Sequence, residues 1–317
     1  MVDLVHLKTF LEVLHRGSFA EAARHLGYTP SAVSQQMALL ESGLGVTLFE
    51  RAARGTLPTA ACAPLAERAA EVLGGVTTLE REMQALAGGL AGQIRLGCFP
   101  SAAARILPSA LVALRESYPG VEISMTEGEP DELNPALLSG ELDAVIAYWY
   151  RLAPRRWPEG LVADELMAEQ SLALVSTQHP LASKRSVRLA VLRDDDWISI
   201  RQDSDGDRSL MGLCAAAGFE PKISYRCNDY GVIRELVKAN LGVSLVPSLG
   251  FEPHPHLRAL VTGNRSWQRQ VVLLRRTATA SPMLQQMLEC LRDAALVFDQ
   301  VRRADPSRQH GASQRGD

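Results

Sequence analysis

Five residues near the start of a predicted helix carry groups that can bind nucleic acids. They bring together hydroxyl groups, a side-chain amide and a helix-initiating proline: Thr29, Pro30, Ser31, Ser34 and Gln35. Hydroxyl groups bond phosphates or base edges, and a glutamine amide can bind N6 and N7 of adenine in a bidentate way. By themselves, the two serines fit DNA contact and a merely structural role, as a helix cap and a solvated face, equally well, so their place in the fold decides what they do.

The helices around these residues have helix-turn-helix spacing. Residues 27–29 separate two short amphipathic helices, and the whole motif covers about residues 18–37. Pro30 suits the first position of the second helix, and Ser18 with Glu21 predicts a capping box at the first helix. The second helix of such a motif enters the major groove of DNA and meets base edges with its first turns.

A two-stranded wing is predicted after the second of these helices. Residues 46–59 contain two short apolar stretches around a turn at residues 53–56. Arg51 and Arg54 lie at this hairpin, where they are placed to reach phosphate or the minor groove. Residues 1–60 hold five basic and five acidic side chains. Any positive face must therefore come from segregation of charges and not from an excess.

A long helix with a repeating apolar seam is predicted over residues 61–90. Apolar residues recur alternately at four and three positions: Leu65, Ala69, Val72, Val76, Leu79, Met83, Leu86 and Leu90. A heptad pattern of this length is typical of a two-helix coiled coil, although a helix packed on its own domain is the alternative. The predicted dimerisation residues are Leu65, Val72, Val76, Leu79, Met83 and Leu86. Glycines at positions 74 and 75 weaken the helix by about 1 kcal/mol each relative to alanine.

Strand-like and helix-like segments alternate over residues 91–303, which predicts an α/β fold with parallel sheets. The spread of these segments suggests two subdomains. We place the first at about residues 91–161 and 267–303, and the second at about residues 162–266. The polar residues 304–317 show no apolar period, so we predict a disordered tail.

Composition excludes several classes of protein. The 317 residues have a formal net charge of -3, which is no global electrostatic match for nucleic acid. The longest apolar runs, such as residues 142–149, are far shorter than the ~20 residues of a membrane span, and charges interrupt the N-terminal apolar stretch. Five scattered cysteines without a Cys-x-x-Cys pair argue against disulfides and zinc. We therefore expect a cytoplasmic protein without a membrane partner.

The first sixty residues resemble the winged helix-turn-helix of the LysR-type transcriptional regulators. The resemblance rests on Leu7-Lys8-Thr9-Phe10, Gly17-Ser18-Phe19, Ala22-Ala23, Leu26, residues 29–36, Leu40-Glu41 and residues 44–51. It continues more loosely with Gly97, residues 140–143, His179-Pro180-Leu181-Ala182, Trp197-Ile198 and residues 242–247. It therefore covers almost the whole chain in the order of the family.

Three segments depart from the family pattern. Many members carry arginine where this chain has Gln35. Residues 58–62 replace the usual Leu-Thr-x-x-Gly after the wing, and residues 148–150 are more aromatic than usual. These departures bear on operator preference, on the start of the linker helix and on the class of ligand.

The resemblance implies a sequence-specific, DNA-binding transcriptional regulator. Its expected architecture is an all-α winged helix-turn-helix over residues 1–60, a long linker helix, and an α/β effector-binding domain of two subdomains that is similar to periplasmic binding proteins. The expected partners are double-stranded DNA with an interrupted palindrome, a second copy of the chain, and RNA polymerase. The resemblance further implies a dimer of dimers that bends promoter DNA.

The resemblance also places a small effector between the two subdomains. The candidate effector-binding residues fall at strand ends: Phe99, Pro100, Ser101, Glu127, Tyr148, Arg201, Gln202, Asp229 and Pro247. Free N–H groups at a helix N-terminus favour an anion, and a guanidinium can bind a carboxylate in a bidentate way. We therefore expect an anionic effector. The alternatives are an ion pair of Arg201 with one of residues 194–196, and a purely structural role for Phe99 and Tyr148.

An enzyme is the alternative of a different class. The sequence contains no Gly-x-Gly-x-x-Gly after a strand, no P-loop, no His-Glu-x-x-His and no Gly-x-Ser-x-Gly. Its histidines show no metal-ligand spacing, so we predict no catalytic residues, no metal and no cofactor. A ligand-binding module without DNA binding is a further alternative. Cys98, beside the predicted cleft, could sense oxidants or act as a buried small hydrophobic residue.

Overall fold

The N-terminal domain is a bundle of three short helices. The computed structural model describes residues 2–51, 56–88, 93–262, 268–277 and 281–304. Helices α1 (Leu4–Arg16), α2 (Phe19–Leu26) and α3 (Pro30–Leu44) pack around a buried core. The core side chains recur at helical spacing, and they include Leu7, Phe10, Val13, Ala22, Ala23, Val33, Met37 and Leu40.

The turn between α2 and α3 has the local chemistry of a helix-turn-helix. Gly27 ends α2 with a φ of 71°, a left-handed conformation that glycine adopts without strain. The Thr29 hydroxyl accepts a hydrogen bond from the Ala32 N–H at 3.2 Å and caps α3. The predicted capping box at α2 is wrong, because the Ser18 side chain makes no cap hydrogen bond and the Glu21 carboxylate pairs with an arginine on its own helix instead.

A β-hairpin follows α3, as the sequence predicts. Strands β1 (Phe49–Arg51) and β2 (Thr56–Pro58) pair antiparallel. The Glu41 carboxylate of α3 accepts hydrogen bonds from the N–H groups of Leu48 and Phe49, at 2.7 and 3.1 Å. The wing is therefore held to the same helix that carries the candidate DNA-binding residues.

Helix α4 (Cys62–Gly88) leads away from this domain. Its first turns pack into the core of the N-terminal domain, where Cys62 and Ala69 are buried and Leu65 is half-buried. Leu65 therefore packs within its own chain, which is the alternative that the sequence left open for this helix. The seam and the core share this part of the helix because both need apolar residues three or four positions apart.

The rest of the chain forms ten strands and six helices within the described residues. In chain order they are β3 (Gln93–Cys98), α5 (Pro100–Arg105), α6 (Leu107–Ser117), β4 (Glu122–Glu127), α7 (Pro130–Leu138), β5 (Ala144–Tyr150), β6 (Leu161–Glu169), β7 (Ser171–Ser176), β8 (Asp196–Ser199), α8 (Asp205–Ala216), β9 (Lys222–Arg226), α9 (Tyr230–Lys238), β10 (Val243–Pro247), β11 (Leu257–Val261), β12 (Arg269–Arg276) and α10 (Pro282–Ala304).

These strands form two five-stranded sheets, one in each lobe. The first has the order β4-β3-β5-β12-β6 and the second the order β11-β7-β10-β8-β9. Both sheets are mixed, which corrects the prediction of parallel sheets: β12 runs antiparallel to β5 and β6, and β7 runs antiparallel to β10 and β11. The antiparallel strands are those next to the points where the chain changes lobe without an intervening helix.

The boundary between the lobes differs from the predicted one. Strand β6 pairs with β12 in the first sheet, so residues 161–169 belong to the first lobe and not to the second. The chain then passes to the second sheet at Gln170, between β6 and β7, and returns between Val261 and Arg269. Helices α5 and α6 follow each other directly but are separate, because the proline in the first turn of α6 has no N–H to bond to the preceding turn.

No helix among the described residues is long and apolar enough to cross a membrane.

Candidate functional sites

The predicted DNA-binding residues of α3 share one exposed surface. Thr29, Pro30, Ser31, Ser34 and Gln35 are all exposed. The neighbouring amide of Gln36 points the other way, because its Oε1 accepts a hydrogen bond of 2.6 Å from the Thr9 hydroxyl. The structure therefore distinguishes two adjacent glutamines that the sequence alone treats alike.

The wing arginines are only partly described. The backbone of Arg51 pairs with Thr56 in the hairpin. The side chain of Arg51 and the whole of Arg54 lie outside the described residues, so their reach toward DNA stays a prediction from the sequence.

The middle of α4 presents the predicted dimer seam to solvent. Val72, Leu79 and Met83 are 48%, 56% and 51% exposed. Val76 is half-buried between them, and the side chain of Leu86 lies outside the described residues. Large apolar side chains exposed in a row on one helix mark a surface that a partner covers.

A small cavity of about 30 Å³ lies between the two lobes. Its polar lining comes from both sides of the cleft: Glu129, Asp131, Tyr148 and Arg155 from the first lobe and its loop, and Arg201, Ser204, Asp205 and Asn228 from the second. A cavity of this size holds a few water molecules at most and is far smaller than the roughly 300 Å³ of a small-molecule pocket. The cleft is therefore closed in this conformation.

Arg155 holds the two walls of this cleft together. Its guanidinium lies 2.8 Å from Asp131, in the first turn of α7, and 2.8 Å from Asp205, in the first turn of α8. Arg155 and Asp205 are 18% and 10% exposed, so solvent screens their contact weakly, whereas Asp131 is exposed and its contact is screened more strongly. A second contact crosses the cleft nearby, with Arg201 4.0 Å from Glu132.

The structure does not pair Arg201 with the carboxylates that the sequence offered as the alternative to a ligand. The carboxylates of residues 194–196 do not pair with it: Asp195 pairs with a histidine and Asp196 with Lys222. The Arg201 guanidinium is half exposed at the mouth of the cleft, and its backbone N–H donates to Asn228 at 2.8 Å. Its side chain is therefore still placed to meet a ligand.

A buried arginine lies behind Tyr148, which lines the cleft. The Arg269 guanidinium lies 4.7 Å from the ring centres of both Phe99 and Tyr148, and it donates to the Ser101 hydroxyl at 2.9 Å. Its Nε lies 2.5 Å from the Glu169 carboxylate. Three predicted effector residues therefore contact this internal cation.

The charge of this cluster is internally balanced. Burial acts to lower the pKa of Arg269, but Glu169 and the neighbouring tyrosines offset it, so the pKa stays above its ordinary value and the side chain stays charged. Burial raises the pKa of Tyr148 well above its usual range. Tyr148 accordingly acts as a donor, with its hydroxyl 2.7 Å from the Glu129 carboxylate.

Seven of the nine predicted effector residues do not line the cavity. Two of them, Phe99 and Ser101, contact Arg269 instead, and the other five lie elsewhere. Pro100, Glu127 and Gln202 are exposed, and Pro247 is buried as it pairs with β7. The Asp229 carboxylate caps α9 by accepting from the Gly231 N–H at 2.6 Å. All five lie at strand ends, as predicted. The two sheets have many strand ends, and only a few of them face the cleft.

The sequence reasoning missed the carboxylates of the cleft and its two best-placed arginines. Asp131 and Asp205 lie in the first turns of α7 and α8, directly after Pro130 and Ser204. Because helix starts favour such residues, this pattern could have placed both carboxylates at helix N-termini. Arg155 lies in a loop without periodicity, and Arg269 begins a strand just after a segment that changes lobe. Among the described residues, no group of histidine, cysteine, aspartate and glutamate is arranged to hold a metal ion.

Two family models match the chain. The bacterial regulatory helix-turn-helix of the lysR family matches residues 4–63, and the LysR substrate binding domain matches residues 87–296. Among curated relatives, the transcriptional dual regulator GltC of Bacillus subtilis is 30% identical over 79% of this chain and 82% of its own. The dual regulator OxyR of Escherichia coli is 28% identical over 79% and 80%.

Solved structures agree with this assignment. A cysteine mutant of OxyR from Corynebacterium glutamicum is 26% identical, with a TM-score of 0.61 over 95% of this chain and 94% of that one. Full-length CbnR in complex with its target DNA is also 26% identical, with a TM-score of 0.55 over 93% and 100%. The curated relatives are transcriptional regulators and not enzymes. This chain belongs to the LysR family and is a DNA-binding transcriptional regulator with a two-lobed effector-binding domain.

Proposed function

We propose that the chain recognises an interrupted palindrome as a homodimer, through the exposed start of α3 and the arginines of the wing. The observation that carries this proposal is the common exposure of Thr29, Ser31, Ser34 and Gln35 on the second helix of the motif. A two-fold dimer presents this surface twice, on half-sites one or more helical turns apart. The exposed α4 residues Val72, Leu79 and Met83 supply the dimer seam.

Further assembly follows from the same proposal. Two such dimers associate into a tetramer that bends promoter DNA, and the assembly acts on RNA polymerase in the cytoplasm. Residues 1–60, the DNA-binding domain, have a net charge of zero, so a single copy has no excess of positive charge to attract DNA. This supports binding by more than one copy of the domain. Each added DNA-binding domain contributes further phosphate contacts, although the net charge of each domain stays the same.

The proposed effector is a small anion that binds in the cleft between the lobes. Arg155 and Arg201 both face the cleft, and each already contacts a carboxylate of the protein. A ligand carboxylate can replace Asp131 or Glu132 on these guanidiniums, because both acids lie at the exposed mouth. Helices α7 and α8 also begin at the cleft, and helix N-termini favour anions.

One set of experiments tests DNA and effector binding together. DNase footprinting on the region upstream of the gene is expected to show protection over two half-sites. A thermal-shift screen of aromatic and aliphatic carboxylic acids is expected to find a compound that raises the melting temperature and alters the footprint. The absence of protection would favour a ligand-binding module without DNA binding. A screen in which only cationic or neutral compounds act would contradict the anionic class.

Peroxide sensing, suggested by relatives named hydrogen peroxide-inducible genes activators, is not favoured at the three buried cysteines, whereas Cys227 and Cys290 are only partly buried. Cys62, Cys98 and Cys214 are buried. Burial raises the pKa of Cys214 to about 12 and that of Cys98 further still. A thiol that stays protonated at neutral pH reacts slowly with oxidants. These sites have the character of small packed side chains.

A further inference from the structure

Two elements run from the cleft between the lobes to the linker helix α4. One is helix α7, and the other is the loop over residues 151–160, which we call the cleft loop. Arg155 of the cleft loop and Asp131 of α7 meet at the cleft. Both elements also have a far end, and in each case that end contacts α4.

The far end of α7 packs tightly against Gly74 of the linker helix. A Cβ added at Gly74 would lie 2.6 Å from the carbonyl oxygen of Leu138, closer than such atoms approach one another. Gly140, with a φ of 79°, approaches the same turn of α4, where its Cβ would lie 3.1 Å from the Gly74 Cα. Arg276 fixes this end of α7 by donating to the Leu137 and Leu142 carbonyls at 2.7 Å.

The far end of the cleft loop lies beside the preceding turns of α4. Glu159 lies 3.3 Å from Arg68, and a Cβ at Gly160 would lie 3.2 Å from the Glu71 carboxylate. Trp157, between these residues and Arg155, packs in the same apolar cluster as Leu133 and Leu137 of α7. The loop and the helix are therefore held to each other as well as to α4.

The distance between the two ends is short. Helix α7 has nine residues, and at about 1.5 Å per residue it spans roughly 14 Å. Pro135 removes one of its interior hydrogen bonds. Leu133 and Leu137, on either side of this proline, are buried in one apolar cluster, so packing holds the two turns of the helix together. A displacement of its first turn at the cleft therefore reaches its last turn at Gly74.

We propose that α7 and the cleft loop couple opening and closing of the cleft to the position of the linker helix. The ion pairs of Arg155 hold the cleft closed, and Gly74 is the residue of α4 that α7 contacts. The inference rests on the proposed function of the cleft as the effector site. In the closed conformation Arg155 joins Asp131 to Asp205 and α4 lies against Leu138. A ligand that separates Arg155 from these carboxylates releases α7 and shifts α4, which carries the DNA-binding domain at its other end.

Gly74→Ala, with Gly75→Ala as its matched control, tests the contact point. Both substitutions remove a glycine from α4 and raise its helix propensity equally. At Gly75 an added Cβ meets nothing within 4 Å, whereas at Gly74 it meets the Leu138 oxygen. Amide hydrogen exchange is measured on the full chain without ligand, at residues 129–133 and 203–207. We expect Gly74→Ala to speed exchange at these cleft residues about threefold to tenfold, and Gly75→Ala to leave it unchanged.

The reverse experiment changes Arg155 and measures the effect at the linker helix. Arg155→Ala is compared with Arg193→Ala, which removes an exposed arginine of the second lobe whose Nε donates to the nearby Ala190 carbonyl. Exchange is measured at residues 68–78 of α4. Because coupling between two sites is reciprocal, Arg155→Ala is expected to speed exchange there by a similar factor, and Arg193→Ala is not.

The outcomes separate this inference from the proposed function. The coupling is wrong if Gly74→Ala exchanges at the cleft, and Arg155→Ala at α4, at the same amide exchange rate as its control. This holds even if a ligand binds the cleft. If exchange responds as expected but no anion binds, the coupling stands and the proposed effector class is wrong. Should Gly74→Ala not fold, Arg155→Ala decides the question alone.

Discussion

The Arg269 guanidinium and the Glu169 carboxylate form an ion pair with an Nε–Oε1 distance of 2.5 Å and side chains that are 2% and 0% exposed. Glu169 also accepts a hydrogen bond of 2.7 Å from the Leu249 N–H, just beyond the end of β10 in the second lobe. The pair therefore joins β6 and β12 of the first sheet to the second lobe, at the base of the cleft.

Loss of this carboxylate is expected to be costly. Glu169→Ala leaves a buried cation without its partner and should lower the free energy of unfolding by about 3–5 kcal/mol. The matched control is Asp164→Ala, because Asp164 pairs with Arg275 on the same two strands but is partly exposed. It should cost about 1 kcal/mol or less. Urea unfolding of both variants gives the comparison, and equal losses would contradict the role of burial.

Gln35 and Gln36 are expected to separate base recognition from stability. Gln35→Ala should change the preference among operator bases by about 1–3 kcal/mol, because the exposed amide is the group placed to read an adenine. Gln36→Ala should leave that preference unchanged and lower the melting temperature, because its amide bonds Thr9 inside the domain. Titration of operators with single base changes checks the first variant, and thermal unfolding checks the second.

Arg54 is expected to contribute through charge and not through base recognition. Arg54→Ala should weaken binding to all operator sequences alike and reduce the slope of log K against log salt by about one. Arg193→Ala in the second lobe should leave the slope unchanged. Titrations at several salt concentrations measure it, and an unaltered slope in Arg54→Ala would remove the wing arginine from the interface.

Leu79 tests the dimer seam of α4. Leu79→Glu places a charge on an exposed apolar helix face and should shift the protein from dimer to monomer at micromolar concentration. Leu296→Glu is the control, because Leu296 is a similarly exposed leucine, 60% accessible, on α10. Sedimentation velocity measures both. A monomer from Leu296→Glu with an intact Leu79→Glu dimer would move the interface to α10.

Buried thiols should be slow to react. Because burial raises the pKa of Cys214 to about 12, almost none of it is thiolate at pH 8. Alkylation of the native protein at that pH is expected to spare Cys98 and Cys214, and alkylation after denaturation should modify both. Mass spectrometry of the peptides gives the extent. Rapid labelling of either native thiol would reopen oxidant sensing as a function.

Local sequence patterns predict the elements that position the DNA-binding surface. Thr29 and Pro30 mark the start of α3 because capping chemistry is encoded in adjacent residues. Strand β7 is buried throughout, and its four consecutive apolar residues between two serines are a local signal for a buried strand. Strand β6 was missed because it lies at a sheet edge and is mostly half-buried, so its apolar residues do not alternate cleanly.

The cleft was harder to predict, because its contacts join residues that are far apart in the chain. Tyr148 and Arg201 were found from their places at strand ends. Arg155 gives no such signal, since its two aspartates lie on opposite lobes and its own segment is a loop. Arg269 could be identified as part of a strand, but no local pattern says that it pairs with Glu169 or lies between two aromatic rings.

The position of the Arg269–Glu169 pair has a mechanical consequence. The chain changes lobe at Gln170 and again between Val261 and Arg269, so both crossings adjoin this pair. Both charges lie on paired strands of the first sheet, so motion of the second lobe leaves them in contact. What such motion strains is the hydrogen bond from the Leu249 N–H to the Glu169 carboxylate. Rotation of the second lobe about this bond keeps it, whereas sliding would break it and leave a buried donor without its acceptor. A ligand at the mouth of the cleft is therefore expected to turn the second lobe about this point and not to displace it sideways.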